Sequence, residues 1–225
     1  MSTLRTAWLI AKKDLRIESR SGEILITTCF FAVLIAVLTS LSFYIDDTNT
    51  RIMAPGVLWL SLAFSGVLAM SRSWAREREE GVMRALLLSP SSRAGIYLGK
   101  ALGAFVFLCI VETLLLPLVA LLFHIDLLPV IGRLVSLLLL GTFAFVAAGT
   151  LFSAMSVRTR ARELMLSVVL FPLIAPALLA GVVATREVLG GGPMSETIAW
   201  MRILGAFDLA FLGAGLALFD SLLSE

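Results

Sequence analysis

RSWAREREEGVMRALLLSPSSRAGIYLGK, residues 72–100, separates two apolar runs, and its reading decides the fold. The run before it, 52–71, has no charged residue. A connector with this many charges lies outside the hydrocarbon of a membrane, because an ionised side chain there costs several kcal/mol. It holds six of the chain's eighteen Lys and Arg: Arg72, Arg76, Arg78, Arg84, Arg93 and Lys100. Basic residues concentrate on the cytoplasmic side of membrane proteins, so the connector is expected there. Val82, Met83, Leu86 and Leu87 fall at helical spacing, and Ser89-Pro90 ends the run. The pattern predicts a short amphipathic helix at the inner membrane surface. It also fits an ordinary interfacial connector.

Working outward, the composition agrees with a membrane protein. Apolar residues make up 59% of the chain and charged residues 15%, against about 25% charged in soluble domains. The mean hydropathy is +0.99. The net charge of +2 gives no reason to expect nucleic acid as a partner. Cys29 and Cys109 sit inside apolar runs without metal-ligand spacing, and read as small buried hydrophobes. The first apolar run is too long, and lacks the exit site, for a cleavable signal peptide.

Residues 1–22 predict an amphipathic interfacial helix. Leu4, Trp8, Ala11 and Leu15 recur at helical spacing, with Lys12, Lys13, Arg16 and Arg20 on other faces. Membrane spans are expected at about 24–45, 52–71, 96–123, 134–157, 164–185 and 203–219. The first contains no charge over twenty-two residues, enough at about 1.5 Å per residue to cross about 30 Å of hydrocarbon. Residues 46–50 read as a polar turn. Gly99 and Gly103 form a small-xxx-small pair suited to a close helix contact, and Lys100 to snorkelling. Pro172 and Pro176 predict a bent or broken fifth span. A short interfacial helix through Trp200 and Met201 is expected before the sixth. The segments assigned to the inner side hold fourteen Lys and Arg and the outer ones four, so both termini are expected in the cytoplasm.

Candidate chemistry is sparse. Gly95 to Ala101 superficially resembles a phosphate loop. It has three residues between its glycines where four are needed, and Ala101 stands where Ser or Thr would hold magnesium. ATP hydrolysis is therefore expected on a separate subunit, and the chain is not read as an enzyme. Glu112 lies mid-span, where a comparable charge costs about 2.5–3.5 kcal/mol or more. It either lines a transport path, or pairs with an incoming basic residue, or hydrogen-bonds between helices as a protonated carboxyl. Asp208 reads as a solvated span end. His124, the single histidine, is a candidate haem ligand, set against an ordinary solvated loop residue. No metal site and no bound cofactor are expected.

Several blocks carry a family resemblance. E-x-E-E-G at 77–81, A-L-L-L-S-P at 85–90 and Y-L-G-K at 97–100 resemble the cytoplasmic loop of ABC-type exporter permeases. A-P-G-V-L-W-L-S-L-A-F-S-G-V-L-A at 54–69 and F-P-L-I-A-P at 171–176 are similar to one branch of these, the haem exporter protein B (CcmB) family. That family is the permease subunit of the cytochrome c maturation system. The blocks run in order over residues 52–178.

The resemblance implies an all-α membrane protein. Six transmembrane helices follow an N-terminal elbow helix, in one membrane domain, 1–225. It implies a cytoplasmic coupling loop, 72–95, that docks on an ABC ATPase. Leu86 and Leu87 would make the apolar contact, and Glu77, Arg78, Glu79 and Glu80 the rim pairs. Gly81 would permit a sharp helix entry, and Pro90 would end the helix. Further implied partners are a second copy of the chain, haem-handling membrane subunits, a periplasmic haem chaperone and the lipid bilayer. Haem would be a handled substrate and ATP would bind the partner. The location would be the bacterial plasma (inner) membrane. The alternatives are an exporter permease for lipid, drug or polysaccharide, and a non-transporting membrane scaffold. An intramembrane enzyme would need facing carboxylates, or Ser with His, within the spans.

Overall fold

Apolar run length decides where the chain can cross a membrane, but helix breakers decide where each helix ends. The structure, a computed structural model, describes residues 2–42, 47–79, 92–156 and 162–224. Among them are seven α-helices and no strand: α1 Thr3–Ser21, α2 Glu23–Ser42, α3 Asp47–Glu79, α4 Arg93–Leu122, α5 Ile131–Ser156, α6 Arg162–Leu189 and α7 Met194–Ser224. A short 3-10 turn, Leu128–Val130, precedes α5. Six helices, α2 to α7, are long and apolar enough to cross a membrane. The protein is a multi-pass, all-α membrane protein with an amphipathic helix ahead of its first span.

Helix α1 ends at Gly22, whose φ of +64° suits a residue without a Cβ, and whose N–H donates to the Glu18 carbonyl at 2.7 Å. The chain turns there into α2. Ala7, Ile10 and Ala11 of α1 are buried, leaving Leu4 and Trp8 exposed. The predicted stripe of Leu4, Trp8 and Ala11 is thus divided between a packed face and an open one. The packed face lies against α4, where Gly95 and Gly99 have no side chain to hold it off. A Cβ on Gly99 would come within 2.7 Å of the Ala7 carbonyl oxygen. The small-residue pair of the sequence therefore contacts the elbow helix rather than another span.

Helices α5 and α3 are the most buried spans, with α5 packed on α4, α6 and α7, and α2 on α3. Trp59 of α3 fastens one side. Its ring fills space left by Gly141 of α5 and Gly181 of α6, and a Cβ on either would collide with it. Its Nε1–H donates to Thr185 Oγ1 at 2.9 Å. Tyr97 of α4 lies against Gly215 of α7, and its hydroxyl reaches the carbonyl oxygens of Ala147 (3.1 Å) and Phe211 (3.3 Å).

The helices differ from the sequence expectations at three places. Residues 47–50, expected in a turn, are the first turn of α3. That helix also continues past the charge-free run to Glu79, so 72–79 is helix rather than loop. Arg, Glu and Ala are good helix formers, and no Gly or Pro intervenes before Gly81. The expected interfacial helix and the sixth span are one helix, α7, which starts after Gly191 (φ +80°) and Pro193 and meets no breaker at 194–203. Pro172 and Pro176 lie inside an unbroken α6, as is tolerated in packed membrane helices whose neighbours satisfy the freed groups.

Candidate functional site

The charged end of the bundle brings three helices together through side chains far apart in sequence. Glu77, in the last turns of α3, is 5% exposed. Its Oε1 accepts from Lys13 Nζ of α1 at 2.9 Å and also pairs with Lys100 Nζ of α4. Asp14 completes the cluster, 3.0 Å from Lys13 and 2.7 Å from Lys100. Lys100 Nζ also lies 5.9 Å from the centre of the Trp74 ring, within cation–π reach. Burial opposes the charge on Lys13, but the carboxylates of Asp14 and Glu77 hold its pKa above the ordinary lysine value.

One residue before Glu77, Arg76 points to the elbow. Its guanidinium reaches Glu18 at 3.4 Å and Glu23 at 3.1 Å. Glu18 also accepts from the Leu25 backbone N–H at 2.7 Å, which fixes the turn between α1 and α2. On the other side, Ser92 caps α4 by accepting from the Gly95 N–H at 3.2 Å, and it touches Thr3 of α1. Residues 80–91 connect α3 to α4. Both ends of this connector are thus fastened to α1, one through Glu77 and Lys13, the other through Lys100 and Asp14. A cavity of about 80 Å³ lies beside the cluster, and Glu77, Lys100, Phe107 and Leu108 are among the residues that line it.

Deeper in the spans, Glu112 of α4 is buried and accepts a hydrogen bond from the Thr142 hydroxyl of α5. Asp208 of α7 is 8% exposed, and its Oδ1 has no partner among the described residues. It is no solvated span end. Continuation of α7 outward to Met194 places Asp208 well inside the helix, on the buried stripe with Leu204 and Gly215.

The CcmB protein family matches residues 5–221 of the chain. The chain belongs to that family. Its relatives include proteins named heme exporter protein B. The one from Paracoccus denitrificans is 30% identical over 89% of this chain and 90% of its own length. The one from Pseudomonas aeruginosa is 28% identical over 89% of each. The one from Bradyrhizobium diazoefficiens is 27% identical over 92% and 91%.

In this CcmB-family chain, the residues singled out from sequence fare differently. Glu80, Gly81, Leu86, Leu87 and Pro90 lie outside the described residues, as does the side chain of Arg78. Glu77 is not available as a rim residue for a partner, because its carboxylate faces inward onto two ammonium groups. Lys100 does not snorkel to water; its side chain is 4% exposed and ion-paired. Glu112 takes the interhelical hydrogen bond rather than an ion pair. His124 is exposed just past the end of α4, at a φ of +51°. Among the described residues, no three or more of His, Cys, Asp and Glu gather into a metal-binding group.

Sequence reasoning missed Lys13, Asp14, Trp74 and Arg76. The available signal was Lys100 itself, a cation one or two turns inside an apolar span, which calls for a buried counter-charge.

Proposed function

We propose that this chain is the membrane subunit of an ABC-type haem exporter serving c-type cytochrome biogenesis, driven by a separate ATPase. Its place is the bacterial inner membrane, with both termini cytoplasmic. The observation that carries the reading is family membership over nearly the whole chain, with relatives named heme exporter protein B at 28–30% identity over nine-tenths of their length. The ATPase docks on the connector at 80–91, with Leu86 and Leu87 as its apolar contact. Movement of the docked connector passes through Glu77 and Lys100 to the elbow helix and to α3 and α4. The ion cluster supports this route because it joins both ends of the connector to one helix. Haem capture falls to partner subunits and to the periplasmic chaperone, and His124 is not required as a ligand.

Deletion of the chain is expected to abolish covalent c-type cytochromes while leaving b-type haem proteins intact. At equal membrane abundance, His124→Ala should retain most c-type cytochrome. Leu86→Asp should lose most of it and recover less ATPase on co-purification, because a charge would enter an apolar cleft without a partner. Haem-stained cytochrome per cell is the readout. Full assembly in the deletion strain would overturn the haem reading, and loss in His124→Ala would overturn the division of labour.

A further inference from the structure

The outward edge of the elbow helix carries charge that the bundle does not use. Helix α1 has two acids, and both turn inward: Asp14 pairs with Lys100 and Lys13, and Glu18 with Arg76. Lys13 is taken up in the same way, by Asp14 and Glu77. The other four cations of the helix, Arg5, Lys12, Arg16 and Arg20, are exposed. None of them has an ion-pair partner among the described residues. At 3.6 residues per turn they fall within about a quarter of the helix circumference, on the side away from Ala7, Ile10 and Ala11. Lys12, Arg16 and Arg20 follow one another at i, i+4 spacing, where like charges repel. Such an edge is complementary to anions supplied from outside the chain.

The depth of the edge says which anions. Thr3, Ala7 and Ala11 lie against Gly95, Gly99 and Gly103 in turn, so α1 runs alongside the first turns of α4. Helix α4 has 30 residues, about 45 Å at 1.5 Å per residue, for about 30 Å of hydrocarbon. The ion pairs of Lys100 and Glu77 mark the end beside α1 as the one that reaches into the headgroup layer. Next to the basic edge, Leu4 and Trp8 are 78% and 61% exposed. Apolar side chains flanking a cationic strip suit a membrane boundary and not a face in water. We propose that the edge formed by Arg5, Lys12, Arg16 and Arg20 binds the phosphates of anionic phospholipids. The helix so anchored is the one that holds both ends of the connector at 80–91. The strip binds in this way whatever the complex exports.

The test reads lipid identity at the strip itself. Ser19 is exposed beside Arg20, so Ser19→Cys can carry a bimane fluorophore in a background without Cys29 and Cys109. The protein is reconstituted in phosphatidylcholine containing brominated phosphatidylglycerol or brominated phosphatidylcholine with the same acyl chains. The glycerol lipid should quench with an apparent affinity at least about fivefold above that of the choline lipid, the worth of one Lys or Arg beside an anionic surface. Added salt should shrink that preference, because it screens exposed charges. Arg5→Gln, Lys12→Gln, Arg16→Gln and Arg20→Gln together should bring the preference close to unity. Arg5→Lys, Lys12→Arg, Arg16→Lys and Arg20→Lys together should keep it. The lipid comparison and the salt series need no further variant, so they stand even if the neutral set misfolds. Equal quenching by the two lipids overturns the proposal. If the neutral set then also recovers less ATPase, the strip is a contact for the partner protein instead. A glycerol-lipid preference that survives in the neutral set, unfolding at the parent temperature, overturns it too and places the anionic lipid on other residues.

Discussion

Glu77 is the residue on which the charged end of the bundle depends. A buried ion pair contributes little net stability beyond an apolar substitute, but removing one partner strands the other charge, at about 3–5 kcal/mol. Glu77 and Lys100 side chains are 7% and 4% exposed, so this applies to both. Glu77→Gln and Lys100→Met are each expected to lower stability by about 3 kcal/mol. The double variant should lose less than the sum, because Lys13 and Asp14 remain as a balanced pair. Glu23 is 66% exposed in its pair with Arg76, and Glu23→Gln should change stability by no more than about 1 kcal/mol. Thermal unfolding in a single detergent measures all four, and equal effects at Glu23 and Glu77 would contradict the buried cluster. The pH dependence has a definite sign. The pKa of Lys13 is raised, so its stabilising contribution is complete below the ordinary lysine value of 10.5 and disappears only as the pH climbs through the raised one. Titration of Lys13 should therefore cost no stability near neutral pH.

At the scale of elements, the elbow helix is a packed part of the bundle. Its contact with α4 is close because Gly99 presents bare backbone to Ala7 and Ile10, with Ile10 Cβ 2.8 Å from where a Cβ would stand. The nearest atom is a backbone carbonyl, which cannot swing aside, so Gly99→Leu should separate α1 from α4 and open the ion cluster with it. Gly103, one turn on, is a built-in control: a Cβ there meets its nearest atom at 3.7 Å, an ordinary contact. Hydrogen exchange of the α1 amides should quicken in Gly99→Leu and stay at the parent rate in Gly103→Ala. Protection unchanged in both would show that α1 is held by lipid rather than by α4. The glycine spacing was legible in the sequence, since small residues four apart mark a close helix contact. Which helix approaches was not, because any neighbour satisfies that spacing.

For the whole molecule, orientation follows from charge. Fourteen of eighteen Lys and Arg fall in the N-terminal segment, in 72–100 around the junction of α3 and α4, and in 158–162 around the junction of α5 and α6. These share one end of the bundle if the six spans alternate in direction. Ser19, near the end of α1, and Ser195, in the first turn of α7, then lie on opposite sides, and both are exposed. In a background without Cys29 and Cys109, Ser195→Cys should react with an impermeant thiol reagent added to intact cells. Ser19→Cys should react only after the membrane is permeabilised. The reverse pattern would invert the molecule and remove the cytoplasmic docking of residues 80–91.

The sequence alone showed six runs long and apolar enough to cross a membrane and which family its blocks resemble, and it predicts which basic segments share a side. These properties depend on local sums: the length of an apolar run against the thickness of the hydrocarbon, and the count of cations in a short connector. The helix ends of α3 and α7 escaped that reading, because a helix leaving the membrane stops at a breaker and not at a hydropathy change. Only the tertiary structure decided that Glu77 meets Lys13, 64 positions away, or that Trp59 donates to Thr185, 126 positions away. It likewise turned Glu77 inward, buried Asp208 and gave Glu112 its partner on α5. Helical periodicity states which residues share a face, whereas the partner of a face depends on how the helices pack against one another, and no spacing along one chain segment encodes that.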